Sequence, residues 1–160
     1  MEQIKLNNNH ELSRFIIGMM RLRDWSYDSK SLNTFIKNNL ELGITTFDHA
    51  DIYGDYECEK IFGNTLKKDP GLRKEIKIIT KCGINLLSDK FPSRQVKHYD
   101  TGQKHIIESV EKSLSNLNTD FIDLLLIHRP DPLMDPEETA FAFDVLKNSG
   151  KVLNFGVSNF

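Results

Sequence analysis

Cysteine is scarce in this 160-residue sequence: Cys58 and Cys82 form no Cys-x-x-Cys pair and have no histidine at metal-ligand spacing. That argues against a thiolate metal cluster and supplies no disulfide framework, so a reduced, cytoplasmic protein is the expectation. Charge of one sign is missing too. With 21 basic and 23 acidic side chains the net charge is -2, which gives no electrostatic reason to expect nucleic acid or an acidic membrane as partner. No apolar run approaches the roughly 18 residues of a membrane helix, and the opening MEQIKLNNNHEL has no apolar signal core. Glycine is absent where a dinucleotide-binding Rossmann fold needs it: the turn GMMRLRDWSYDS has a single glycine and no G-x-G-x-x-G. The rest is 39% hydrophobic and 28% charged, an ordinary globular composition.

What is present is periodicity. RFIIGMM (14–20) is apolar between polar flanks and reads as a buried strand. In SLNTFIKNNLELG (31–43), Leu32, Phe35, Ile36 and Leu40 share one helical face and Gly43 follows the end as a cap. ITTFDHA is strand-like, and YECEKIFGNTLKK reads as a helix with Ile61, Phe62 and Leu66 inward. IKIITKCGI is a third strand, and QKHIIESVEKSLSNL a helix striped by Ile106, Ile107, Val110, Leu114 and Leu117. FIDLLLIH, apolar through its centre, suits a parallel strand covered on both faces. DPEETAFAFDVLKNSG carries Asp135 as N-cap, Pro136 at the first helical position, Glu138 in capping-box position and Gly150 past the end. VLNFGVSNF is a fifth strand, and IKLNNNHEL at the front predicts a short β-hairpin with an Asn-rich turn. No linker or low-complexity tract divides residues 1–160, which read as one domain.

About five strands alternating with four helices predict an α/β fold built of right-handed βαβ units around a parallel sheet. An open doubly wound sheet and a closed (β/α)8 barrel compete, and polar residues choose between them. Asp48, Lys81, His128, then Ser158 and Asn159 stand where the second, third, fourth and fifth strands end. In a barrel those ends ring one mouth, where sites in that fold form. Taken singly, each has a plain reading: Asp48 as a loop cap, Tyr53 before Gly54 as a turn residue, His128 as a hydrogen-bonded core histidine. Lysine at the buried end of a strand, as at Lys81, is harder to place without a partner.

Together they suggest a chemistry. A lysine held near a phenol stabilises the phenolate and brings proton exchange at a tyrosine nearer to neutral pH. Tyr53 is thus the expected general acid, with Asp48 orienting Lys81 and His128 fixing a carbonyl oxygen. A general acid aimed at a carbonyl, with no nucleophile and no metal cluster, suits reduction of an aldehyde or ketone by an external hydride donor, usually a nicotinamide. Two other classes compete: a metal-dependent barrel hydrolase on Asp48, His49, Asp51 and His128, and a non-catalytic cofactor-binding sensor or scaffold. The first lacks a His-x-His on the first strand, and Lys81 would put a positive charge beside the metal.

FDHADIYG, ITKCG, DLLLIHRPDP and GKVLNFGVSNF resemble, in order, the signature blocks of the aldo-keto reductase superfamily. HRPDPLMDPEE and SGKVLNFGVSNF are most similar to its bacterial oxidoreductases, relatives of the potassium-channel β subunits. The resemblance implies that Asp48, Tyr53, Lys81 and His128 stand where the family's catalytic tetrad stands. It also implies that Ser158 and Asn159 hold a nicotinamide carboxamide, and that the cofactor is NADPH, bound without a Rossmann domain. His49, where relatives often carry threonine, and Asp51 read as loop-fixing residues.

The first strand departs from the family pattern: GMMRL stands where relatives often show Gly-Thr-Trp. Met19 and Met20 there are read either as a wall for substrate or nicotinamide or as core. The long polar stretch NLLSDKFPSRQVKHYDTG (85–102) is expected to act as a lid or substrate wall, with Tyr99 as its candidate for substrate contact. A complete barrel of this type takes about 250 residues. The chain is therefore expected to be the N-terminal half of a (β/α)8 barrel, whose other half would grip the pyrophosphate, adenine and 2′-phosphate. Bare sheet edges would then favour self-association, and the isolated chain is expected to be poorly folded or self-associating, and largely inactive.

Overall fold

A computed structural model of the chain describes residues 2–7 and 10–160. The chain begins with an antiparallel pair, β1 (Gln3–Asn7) and β2 (His10–Ser13). The hairpin's expected Asn-rich turn, at Asn8 and Asn9, lies outside the described residues. The alternating part follows as β3 (Ile16–Gly18), α1 (Ser29–Glu41), β4 (Thr46–Asp48), the one-turn α2 (Tyr53–Tyr56), α3 (Cys58–Lys68) and the one-turn α4 (Leu72–Glu75). It continues with β5 (Lys77–Cys82), β6 (Ile84–Asn85), β7 (His98–Tyr99), α5 (Gln103–Leu117), β8 (Leu124–Ile127), α6 (Pro136–Asn148) and β9 (Phe155–Val157).

Five strands form one parallel sheet in the order β3-β4-β5-β8-β9. Each strand pairs with the next in sequence, which is the order a barrel wall requires. The long helices pack in the same order, α1 on α3, α3 on α5 and α5 on α6. That places them along one face, as the outer layer of an arc. A doubly wound sheet would carry helices on both faces, so the structure is α/β with the curvature of a half-barrel.

Local chemistry sets the helix ends. The Asp28 carboxylate accepts from Ser31 N at 2.7 Å to open α1, and Gly43, at φ 77°, follows its end. Asp135 accepts from Glu137 N and Glu138 N at 2.9 and 3.2 Å, with Pro136 in the first turn of α6. These caps supply partners for backbone N–H groups that a helix leaves unpaired.

Two apolar cores lie between sheet and helices. One gathers Met19, Leu32, Ile36, Phe47, Phe62, Ile78 and Leu117; the other gathers Ile106, Val110, Leu125, Ile127, Ala142 and Leu146. A Leu, Ile or Phe fully buried in this way contributes about 1.5–3 kcal/mol. The opposite face is covered at its lower end by the hairpin: Leu12 joins Ile79, Leu124 and Leu126. Ser13 fastens the hairpin to β4, its hydroxyl accepting from Thr45 N and Thr46 N at 3.1 Å each.

Below the sheet, at the strand starts, Arg73 makes a four-way clasp. Its guanidinium donates to Thr119 Oγ1 (2.7 Å), Ile76 O (3.1 Å), Phe121 O (2.9 Å) and Asp123 Oδ2 (2.8 Å). Asp123 is buried and also accepts from Ile78 N at 3.0 Å, so the clasp joins the beginnings of β5 and β8.

The strands are shorter than their apolar runs, because pairing stops where the chain must turn toward a helix. The expected third strand breaks at Gly83 (φ 104°) into β5 and β6. The helix expected from Tyr56 begins only at Cys58. The long polar stretch is irregular for most of its length but pairs its end back on β6, with Tyr99 opposite Ile84.

A candidate active site at the strand ends

Strand alternation builds the centre of the site. Within β5, Thr80 and Lys81 point to opposite faces. Thr80 goes outward, where its hydroxyl donates to the buried Glu59 at 2.7 Å, and Lys81 goes inward at the rim. Asp48 ends the neighbouring β4. The Lys81 ammonium donates to Asp48 Oδ1 at 2.6 Å, to His49 O at 2.9 Å and to Tyr53 Oη at 3.1 Å. An ammonium has three donors, and all three are committed. Lys81 is thus fixed in rotation, with one N–H directed at the Tyr53 oxygen, which accepts from it and keeps its own proton to give away.

His128 follows the end of β8, its backbone N–H donating to Cys82 O at 2.9 Å. Its ring meets that of Tyr53 edge-on, centroids 5.9 Å apart. Burial, with Lys81 and Arg129 nearby, lowers its pKa to about 4, so it is neutral near pH 7. Nδ1 is buried without a hydrogen-bond partner. A bare acceptor is less costly there than a bare N–H, so we assign the proton to Nε2. The structure therefore brings Asp48, Tyr53, Lys81 and His128 together.

Tyr53 is followed by an unusual turn. Gly54, Asp55 and Tyr56 are consecutively left-handed, at φ 59°, 56° and 64°. For the two non-glycine residues this costs roughly 1–2 kcal/mol each. Glycine is required at 54, since a Cβ would fall 2.5 Å from Cys58 Sγ besides the positive φ.

The other sequence-nominated residues are placed as follows. Ser158 and Asn159 directly follow β9, beside His128, with Ser158 N donating to Ile127 O at 2.9 Å. Asn159 Nδ2 donates to Ser158 Oγ at 2.7 Å. Met19 and Met20 part company where the chain leaves β3. Met19 has no exposed surface and belongs to the helix-side core, so of its two readings the structure gives core packing and no wall for a cofactor. Met20 is 56% exposed. Tyr99 stands on the outlying β6–β7 pair, away from the tetrad strands.

The metal-hydrolase alternative asked Asp48, His49, Asp51 and His128 to converge, and they do not. The His49 ring is fully buried against Phe62, centroids 4.6 Å apart, and both ring nitrogens lack partners. Burial and Lys81 push its pKa down to about 3. Its backbone, in contrast, serves the site through the carbonyl held by Lys81. Asp51 donates from its N to Lys81 O at 3.1 Å, and its carboxyl lies in a buried setting where burial, and then Glu59, raise its pKa well above the usual carboxylate range. Among the described residues no group of three or more His, Cys, Asp or Glu is arranged to hold a metal.

Sequence reasoning missed Glu59. Its pKa is raised by burial, although Thr80, Ser113 and Asn116 hydrogen-bond to it. Helical spacing was the available signal: Glu59, Phe62 and Leu66 lie at i, i+3 and i+7 on one face. Hollows of about 520 and 180 Å³ lie under the segment after β6, lined by α3 and α5 residues and not by the tetrad.

Comparisons with known proteins place the chain among relatives. The model of the "Aldo/keto reductase family" matches residues 14–160. The chain is 56% identical over 160 residues to the "Uncharacterized oxidoreductase YcsN" of Bacillus subtilis (strain 168), covering 100% of this chain and 53% of that protein. It is 52% identical over 161 residues to a "6-dehydroglucose reductase" of Agrobacterium fabrum, covering 100% of this chain and 54% of that one. Among solved structures, the aldo-keto reductase AKR11C1 from Bacillus halodurans (holo form) superposes with a TM-score of 0.81 at 29% identity, over 100% of this chain and 51% of that chain. The chain thus spans about half the length of the curated relatives it matches. With a family model covering nearly all of it and a five-stranded half-barrel beneath, this chain belongs to the aldo/keto reductase family.

Proposed function

We propose that the chain carries the proton-donating centre of an NADPH-dependent reductase that converts an aldehyde or ketone to its alcohol. One observation carries the reading: Lys81 spends its three N–H groups on Asp48, His49 O and Tyr53 Oη, at 2.6, 2.9 and 3.1 Å. Tyr53 is left as a donor whose conjugate phenolate is met by an ammonium already in place. In the proposed reaction the Tyr53 hydroxyl gives its proton to the carbonyl oxygen, and Lys81 stabilises the phenolate that remains. Asp48 and the His49 carbonyl keep Lys81 from turning away. Neutral His128, through Nε2–H, donates a hydrogen bond to the same carbonyl oxygen and sets its position.

The rim also fits a nicotinamide. The Asn159 amide donates to Ser158 Oγ, leaving the Ser158 O–H as donor and Asn159 Oδ1 as acceptor. That pair complements the oxygen and NH2 of a carboxamide. A reduced nicotinamide, when bound, supplies the hydride.

The test is turnover. The chain would be fused to the C-terminal half of the Bacillus subtilis relative and assayed for NADPH oxidation with a panel of aldehydes. Tyr53→Phe and Lys81→Met are each expected to lower kcat by about 10²–10⁴. Tight nucleotide binding with no turnover on any aldehyde would establish a sensor, and variants as active as the parent would remove Tyr53 as the acid.

A further inference from the structure

The left-handed turn after Tyr53 is gripped from outside at each of its three residues. Arg23 Nη1 donates to Gly54 O at 3.2 Å. Lys90 Nζ donates to Asp55 O at 2.7 Å and pairs with Glu57 at the start of α3. The Tyr56 hydroxyl accepts from Leu86 N at 3.0 Å and from Arg94 Nη1 at 2.8 Å. Around that hydroxyl the Tyr56 and Phe91 rings meet edge-on at 4.8 Å, and the Arg94 guanidinium lies 3.8 Å over Phe91. Two of the three grips, at Asp55 and Tyr56, therefore come from a single stretch, residues 86–94, that belongs to no regular element.

Local preference runs the other way. YECEKIFG is a helix-forming sequence, and nothing in it asks Tyr56 to be left-handed. A left-handed run of non-glycine residues persists only where its surroundings over-determine it. Here the surroundings are Arg23 at Gly54 and residues 86–94 at Asp55 and Tyr56, and the run begins at the residue after Tyr53. Were Tyr56 to join α3 in the right-handed region, the chain between Ile52 and Cys58 would be redirected, and Tyr53 with it.

We propose that Tyr56 is a positioning residue: through it, residues 86–94 hold the 54–56 turn left-handed and so keep the Tyr53 hydroxyl at the Lys81 ammonium. This rests on Tyr53 being the proton donor, but the mechanical half of the claim can be read without turnover. It makes the long segment a strap whose seating sets the general acid, so substrate contacts that seat or lift the strap alter the proton-transfer step.

The fused form would be labelled with ¹³Cζ-tyrosine, the Tyr53 resonance assigned through Tyr53→Phe, and Tyr56→Phe compared with the parent. Trypsin cleavage after Lys90, Arg94 and Lys97 reads the seating of the strap. Tyr56→Phe keeps the ring contacts and removes both hydroxyl hydrogen bonds, one of them charge-assisted, so cleavage should accelerate on the order of tenfold. The Tyr53 resonance should move toward the position of an unfolded tyrosine. In the fused, active form, kcat should fall by a similar factor with KM little changed. Faster cleavage with an unmoved Tyr53 resonance overturns the coupling, and unchanged cleavage overturns the strap. If Tyr56→Phe does not fold, Arg94→Gln, which removes the charged donor, replaces it, with cleavage followed after Lys90 and Lys97 alone: a shifted resonance supports the coupling and an unmoved one overturns it. A parent without turnover whose Tyr53 resonance still shifts would refute the reductase reading and leave the coupling standing.

Discussion

At the scale of single residues, His49 shows how a position can serve the site with its backbone and load the fold with its side chain. The imidazole is sealed against Phe62 without a polar partner, and its pKa is pushed to about 3. An unfolded histidine titrates near 6.5, so between those values the unfolded chain binds the extra proton and acid favours unfolding. The contribution is whole above about pH 6.5 and is lost as pH falls toward 3. At pH 5 the loss from this one residue is roughly 2 kcal/mol. Asp51 and Glu59 act in the opposite sense: their raised pKa values favour the fold at low pH and cost stability as pH rises. Comparing His49→Thr with the parent cancels those shared terms to first order. Urea unfolding at pH 7 and pH 5 should show the parent losing about 2 kcal/mol more than the variant, and equal losses would mean that His49 is not held neutral. The tetrad was legible because each member ends or closely follows a strand in a recognisable block. His49 was not, since a pattern reading of a loop cannot tell which polar side chain turns into the core, whereas Glu59 had only its place on the apolar face of α3 to mark it.

At the scale of elements, the helix boundaries divide the same way. The start of α6 was readable because Asp135 and Pro136 act on neighbouring backbone, and the structure shows the cap they form. The start of α3 was misread by two residues because Tyr56 obeys partners 30 and 38 positions away in sequence, Leu86 and Arg94. Gly63 is a second long-range case. It looks like an ordinary, mildly unfavourable helix glycine, yet α3 and α5 touch there. A Cβ on Gly63 would lie 2.0 Å from Asn116 O and 2.6 Å from the Leu117 carbonyl carbon. Those are backbone atoms and cannot swing aside, so Gly63→Ala must push the helices apart. It should cost about 3 kcal/mol in chemical denaturation; a cost no larger than that of an exposed alanine substitution would show that the two helices are not in contact at that point.

At the scale of the whole molecule, β3 and β9 are the two edge strands of the sheet among the described residues. Ile16 on one and Val157 on the other are 43% and 53% exposed, and Phe15 and Phe160 beside them are more exposed still. Exposed edges of this kind template pairing with further chains. We expect the 160-residue chain to associate in a concentration-dependent way in sedimentation velocity, and Ile16→Lys with Val157→Lys to shift it toward monomer. A parent that stays monomeric across the range would show that the edges are shielded. No helix among the described residues is long and apolar enough to cross a membrane.

The Arg73 clasp has a consequence for how such a scaffold can change. It bolts β5 to β8 at the strand starts, while Lys81 and His128 do their proposed work at the opposite ends of the same two strands. Whatever holds the staves together is therefore remote from whatever meets a substrate. A lineage, or an engineer, could rewrite the upper loops for a new carbonyl compound and leave the hoop at the bottom untouched.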